Sequence, residues 1–321
     1  MNDVLKQIND FGIVPVVKID NAKDAVPLAQ ALKDGGLPLA EITFRTAAAE
    51  ESIRQICTAC PDILVGAGTV LTVDQAKRAV QAGARFIVTP GFSLSVVQYC
   101  NDRKIPITPG VATPTEIQMA LEQGLHVLKF FPAEAFGGLK TLKAMSAPYG
   151  MVQFIPTGGI SAANLAAYIL FPKVLACGGS WMVKNELIKD GNFDEITRLT
   201  REAIDVMLGF DLGHVGLNCA GADDSLGLAR QLSSMFNMPL KAGNSSNFAG
   251  QGLEINKSKG LGTHGHIAVA TNSITRAIAW LTRKGIGVNM NTARKNTAGA
   301  MVAVYLQDEF GGFAIHLLQK K

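Results

Sequence analysis

The feature that most constrains this chain is an alternation that runs from residue 12 to about residue 180. Short, often β-branched apolar runs are followed by longer stretches with helical spacing, the pattern of repeated βα units. Eight such runs can be read: IVPVVK (13–18), LAEITFR (39–45), ILVGAG (63–68), RFIVTP (85–90), IPITP (105–109), HVLKFFP (126–132), VQFIPTGG (152–159) and VLACGGS (174–180). Between them, segments such as NAKDAVPLAQALKDGG and TVDQAKRAVQAGA place apolar residues at helical spacing and carry glycine near their ends. Eight parallel strands with crossover helices predict an α/β fold, the (β/α)8 TIM barrel, here in about 200 residues, which is compact for it.

At 321 residues the chain exceeds the range in which one core keeps growing, so a second domain is expected. The helical pattern FDEITRLTREAIDVML ends at Gly209 and the periodicity then changes. Two tandem βαβββ modules follow: HVGLNCA, a helix DSLGLARQLSSMF and strands near PLKAG, SNFAG and GLEINK, then HIAVATN, a helix SITRAIAWLTRKG and strands near GVNM, GAMVAVYLQ and GFAIHLLQ. The expected division is a barrel over 1–209 and an α+β domain over 210–321, joined by the short GFDLG junction.

Composition narrows the functional classes. Hydrophobic residues make up 48% and charged residues 17%, enough to fill sizeable cores. The formal charge of +4 is spread along the chain, which suits anionic metabolites and argues against nucleic acid as a partner. LAAYILF falls short of the ~20 apolar residues a membrane span needs, and MNDVLKQIND is too polar for a signal peptide, so the expected localisation is cytoplasmic. The five cysteines then read as reduced thiols, and the isolated pair Cys57 and Cys60 as ordinary packing residues rather than a zinc or redox motif.

Barrel active sites sit at the C-terminal ends of strands. In VLKFF, strand alternation puts Lys129 and Phe131 on one face and Leu128 and Phe130 on the other, so the lysine points into the barrel. Desolvation disfavours an ammonium there and leaves an amine able to form a Schiff base with a ketone; the competing reading is a lysine paired with a carboxylate inside the barrel. In AEITFR, Glu41, Thr43 and Arg45 alternate with Ile42 and Phe44 and face the same interior. Glu41 is a candidate proton shuttle. Arg45 suits a substrate carboxylate, or else a surface ion pair. PTGGIS and CGGSW follow strands seven and eight, where barrels commonly bind phosphate through backbone N–H groups.

EITFRT, VGAGTV, TPG, KFFPAE, PTGGIS and GGSW together resemble the KHG/KDPG aldolases, a class I aldolase family acting on 2-keto-3-deoxy-6-phosphogluconate. The resemblance spans residues 1 to about 207. It implies Lys129 as the Schiff-base lysine and Glu41 as general acid/base, with Arg45 and Thr69 on the keto-acid carboxylate. Thr157, Gly158, Gly159, Gly179 and Ser180 would surround the rest of the substrate and its phosphate, and Pro90 and Phe131 would line the pocket. It further implies a keto-acid phosphate substrate, a homotrimer and no cofactor for the aldolase.

The second domain resembles the vicinal oxygen chelate superfamily, in which first and last strands of each module hold a metal. The matching positions are His214, Glu254, His266 and His316, and the last departs from the family's frequent glutamate. The resemblance implies a divalent metal, against the alternative of buried histidines in a non-catalytic binding or assembly module. For the barrel, the rival is another phosphate-binding enzyme in which Lys129 only neutralises charge.

Overall fold

The computed structural model describes residues 2–320 and divides the chain into two units, Met1–Met207 and Leu208–Lys321. In the first, β1 (Ile13–Val17), β2 (Leu39–Thr43), β3 (Leu64–Gly68), β4 (Ile87–Val88), β5 (Ile107–Thr108), β6 (Gly110–Val111), β7 (Val127–Phe130), β8 (Gln153–Pro156) and β9 (Cys177–Gly179) are separated mostly by helices. Hydrogen-bonded neighbours run β5-β4-β3-β2-β1-β9 and β6-β7-β8. β5 and β6 fill one barrel position, divided at Pro109, which has no N–H to give the ladder. Its carbonyl still accepts from the Lys129 N–H at 2.9 Å. Parallel bridges from Phe154 to Val174 and from Thr157 to Gly178 join β8 to the β9 side, so the wall closes. Parallel strands covered on both faces are mostly apolar or small, and β2 and β3 are buried at every position, Glu41 and Thr43 of β2 included.

The observed strands are shorter than the apolar runs. RFIVTP keeps only Ile87 and Val88 in the ladder, and LAEITFR ends at Thr43. At the barrel's rim the backbone turns into loops, so the last residues of each run, Arg45 and Pro90 among them, lie past the strand. The N-terminal helix Asp3–Phe11 starts with the Asn2 side chain accepting from the Leu5 N–H and stops at Gly12 in the left-handed region (φ 71°). Its Ile8, 1% exposed, lines an interior cavity and forms part of the barrel floor. No helix among the described residues is long and apolar enough to cross a membrane.

The second unit runs β10 (Asp211–Asn218), helix Ala222–Met235, β11 (Leu240–Ala242), β12 (Ser246–Ala249) and β13 (Leu253–Asn256). It continues with β14 (Gly265–Thr271), helix Ile274–Arg283, β15 (Val288–Lys295), β16 (Met301–Phe310) and β17 (Phe313–Gln319). All eight strands form one sheet, β11-β12-β13-β10-β14-β17-β16-β15. β10 and β14 are antiparallel at its centre, flanked by β13 and β17, each parallel to its neighbour. The helix Ala222–Met235 packs on one face, where Ala229, Ala249 and Ile255 are fully buried and Ser225 Oγ donates to the Ile255 carbonyl at 2.8 Å. Glu254 projects from the opposite face, one residue along the pleat from Ile255.

Candidate functional site

The pleat of β2 turns Glu41 and Thr43 inward, where they are 3% and 1% exposed. β7 sends Lys129, 5% exposed, toward the same interior. Glu41, Thr108, Lys129 and Thr157 share a small interior cavity with Ile8 and Phe86. Lys129 Nζ stands 3.5 Å from Glu41 Oε1, and that oxygen, shielded from solvent, accepts no hydrogen bond. An unsatisfied carboxylate oxygen in a buried site is costly, and such costs are tolerated chiefly where a protein needs reactive groups. The two readings of the lysine therefore meet in one arrangement: the buried amine is also the partner of a carboxylate. The ring of Phe131, half-buried, lies with its centroid 5.0 Å from Nζ.

Two glycines missed in the sequence make this packing fit. A Cβ on Gly68 would overlap the Glu41 carboxylate, and one on Gly66 would overlap the Phe86 ring. Both glycines are in register with β2, Gly66 opposite Glu41 and Gly68 opposite Thr43. Their alternate spacing in VGAG was the available signal, but it carries no meaning until the neighbouring strand is known.

The remaining sequence candidates gather at the C-terminal strand ends. Arg45 is exposed just beyond β2, its Nε donating to Thr43 Oγ1 at 3.1 Å, and it makes no ion pair among the described residues. Thr69 follows β3 with φ 54°, a left-handed conformation that a β-branched residue rarely adopts and that clusters at ligand sites. Pro90 is half-buried after β4. Thr157 is buried after β8, and Gly158 and Gly159 follow with φ of 96° and 80°, which glycine alone adopts freely. Gly179 ends β9 and Ser180 is exposed beyond it.

Backbone bonds from the Ala133 N–H to Thr157 O (2.8 Å) and from the Glu134 N–H to Gly158 O (3.0 Å) clamp the loop after β7 onto the loop after β8. The Tyr168 hydroxyl adds a bond to Glu134 Oε1. Burial, then that carboxylate, push the phenol far above its usual range, so it stays a donor. A separate cavity, lined by Asn2, Lys104, His126 and Gln153 among others, opens at the opposite, N-terminal end of the strands, away from Lys129.

A second cluster lies in the C-terminal unit. His214 Nε2 is 2.9 Å from Glu254 Oε2 and 3.0 Å from His266 Nε2, and His266 Nε2 is 3.3 Å from the same carboxylate oxygen. Ligand nitrogens of His214, His266 and His316 all fall within 4.8 Å of one another. Ser246 Oγ donates to the other Glu254 oxygen at 2.5 Å. Hydrogen bonds from His214, then His266, hold the Glu254 carboxyl well below the usual range against the effect of burial. Burial, then the neighbouring His266 and His214, push His316 down to about 4. His316 Nε2 is buried without a hydrogen-bond partner, and its ring stacks on Tyr305 with centroids 4.8 Å apart. Tetrahedral coordination at ~2.0–2.1 Å sets ligand atoms roughly 3.3 Å apart, close to the 2.9–3.3 Å among His214, His266 and Glu254; His316 completes the group within 4.8 Å.

A (β/α)8 barrel with a floor at its N-terminal end and a buried lysine amine beside a carboxylate is the arrangement that a class I aldolase, a lyase, requires. Residues 4–199 match the family model described as KDPG and KHG aldolase, and the chain belongs to that family. A 2-dehydro-3-deoxy-phosphogluconate aldolase of Haemophilus influenzae is 48% identical over 204 residues, which cover 64% of this chain and 96% of that protein. A KHG/KDPG aldolase of Escherichia coli is 42% identical over 60% of this chain and 91% of its own length. The crystal structure of a Legionella pneumophila KDPG aldolase, with pyruvate captured as a covalent carbinolamine, is 39% identical with a TM-score of 0.61. It spans 63% of this chain and 98% of that one.

Proposed function

We propose that the barrel cleaves 2-keto-3-deoxy-6-phosphogluconate to pyruvate and glyceraldehyde 3-phosphate, and 4-hydroxy-2-oxoglutarate to pyruvate and glyoxylate, through an imine on Lys129. The observation that carries this reading is the buried 3.5 Å approach of Lys129 Nζ to Glu41 Oε1. The Lys129 amine adds to the C2 ketone, and loss of water gives an iminium that can accept an electron pair. Glu41, through a water, takes the C4 hydroxyl proton; the C3–C4 bond breaks, releasing the aldehyde and leaving its electrons in an enamine. Protonation at C3 and addition of water to the iminium then free pyruvate and the amine. Arg45 and Thr69 hold the C1 carboxylate beside the C2 ketone, with Pro90 and Phe131 lining the pocket. Thr157, Gly158, Gly159, Gly179 and Ser180 receive the phosphate end through N–H and hydroxyl donors.

Borohydride added with pyruvate tests the assignment. The expected product is a reduced adduct on Lys129, absent in Lys129→Arg; an unmodified lysine would leave the rival reading, charge neutralisation alone. The homotrimer rests on the family resemblance, and sedimentation of the full chain tests it.

We further propose that His214, Glu254, His266 and His316 hold one divalent transition metal, in a unit read as tandem βαβββ modules of the vicinal oxygen chelate type. The orphaned His316 nitrogen and the close-set imidazoles favour this over a purely structural cluster. Such an ion would polarise oxygen ligands bound to it. Metal analysis of the full chain should find one equivalent, lost in His266→Ala; a metal-free protein after exposure to zinc, manganese or iron would leave an assembly role.

A further inference from the structure

We propose that Thr43 is a positioning residue for substrate binding: its hydroxyl orients the Arg45 guanidinium at the barrel mouth before the keto acid arrives. This rests on the reading of Arg45 as the carboxylate ligand.

The hydrogen-bond roles are forced by chemistry. Thr43 Oγ1 lies 2.7 Å from the carbonyl oxygen of Val17, the last residue of β1, and 3.1 Å from Arg45 Nε. A carbonyl only accepts and a guanidinium only donates, so the hydroxyl gives its one proton to Val17 O and receives the Arg45 N–H on a lone pair. No apolar side chain can do either, and serine can do both. The bond ties the arginine to the seam between two parallel strands, paired here through Val16 with Glu41 and Val17 with Ile42.

The geometry also fixes which edge of the guanidinium remains. With Nε engaged, neither Nη nitrogen has a hydrogen-bond or ion-pair partner among the described residues. The end-on pair of N–H groups is therefore free to grip a carboxylate through two parallel bonds. Arg45 is exposed, and an exposed arginine samples many rotamers; Thr43 is 1% exposed and cannot swing. Anchoring the stem removes part of that freedom ahead of binding, which appears in affinity rather than in the chemical step.

The test is a double-mutant cycle on the full-length enzyme. Thr43→Val should raise KM for the keto-acid phosphate about tenfold with kcat within about twofold, and Thr43→Ser should restore KM. In an Arg45→Ala background, Thr43→Val should change KM no further. An equal KM effect with and without the arginine, or none in either, overturns the proposal, because the threonine would then act on the barrel rim alone. If Arg45→Ala itself leaves KM unchanged, the carboxylate reading fails separately. Should Thr43→Val not fold, Thr43→Ala in the same cycle gives the same two outcomes.

Discussion

Gly68 of β3 faces Glu41 of β2 so closely that a Cβ on the glycine would lie 2.0 Å from the Glu41 Oε1 atom, well inside contact distance. Two strands with side chains on both would not fit; the absent methyl on one is what seats the functional group of the other. Gly68→Ala should therefore displace the carboxylate while leaving Lys129 in place. The expected loss in kcat is about 100-fold, the lower end of the range for a general acid/base, together with retained borohydride trapping of pyruvate. Trapping lost in parallel with turnover would show instead that the substitution collapses the barrel interior.

The Lys129 and Glu41 side chains, 6% and 4% exposed, form a buried pair, and a buried charge left alone costs more than the pair contributes. Lys129→Met should abolish turnover and destabilise the barrel by about 3–5 kcal/mol. Adding Glu41→Leu should recover most of that stability, or exceed it, with no return of activity. Thermal unfolding of the single and double variants decides; a double variant no more stable than Lys129→Met would mean the pair is not the source of the cost.

Much of the barrel is legible in the sequence, because parallel strands covered on both faces require the largely apolar runs seen in LAEIT and VLKFF, where a polar residue stands out. Inward residues follow from alternation alone, which is how Glu41 and Lys129 emerge. What escapes is everything that depends on a neighbouring strand. VGAG reads as a strand with ordinary glycines until register sets Gly66 against Glu41 and Gly68 against Thr43. Thr43 reads as one more inward hydroxyl until Val17 O and Arg45 Nε are brought to it from two different elements. The floor residue Ile8 lies outside the repeating pattern altogether.

The bond from Tyr168 to Glu134 reaches from the helix Ala162–Ile169 to the loop after β7, beside the glycines read as the phosphate site. Tyr168→Phe keeps the buried ring and removes only the donor. It should cost about 1 kcal/mol of stability and raise KM for the phosphorylated substrate more than for the same keto acid without its phosphate. Equal effects on the two substrates would place the pair outside phosphate binding.

The C-terminal cluster repeats the logic of Gly68 and Glu41. Gly216 of β10 is in register with Glu254 on one side and His266 on the other, and a Cβ there would overlap the His266 imidazole. The glycine thus lets two side chains from flanking strands, Glu254 and His266, converge over the centre of the sheet. Gly216→Ala should push the imidazole aside and lower bound metal at least tenfold, about 1.4 kcal/mol of binding, without change in aldolase turnover. Because metal that binds only the folded state raises its melting temperature, the stabilisation expected on adding zinc to the parent chain should also disappear. If the variant keeps a full equivalent of metal and the same zinc-dependent rise, the ion is held elsewhere and the convergence of His214, Glu254, His266 and His316 serves packing alone.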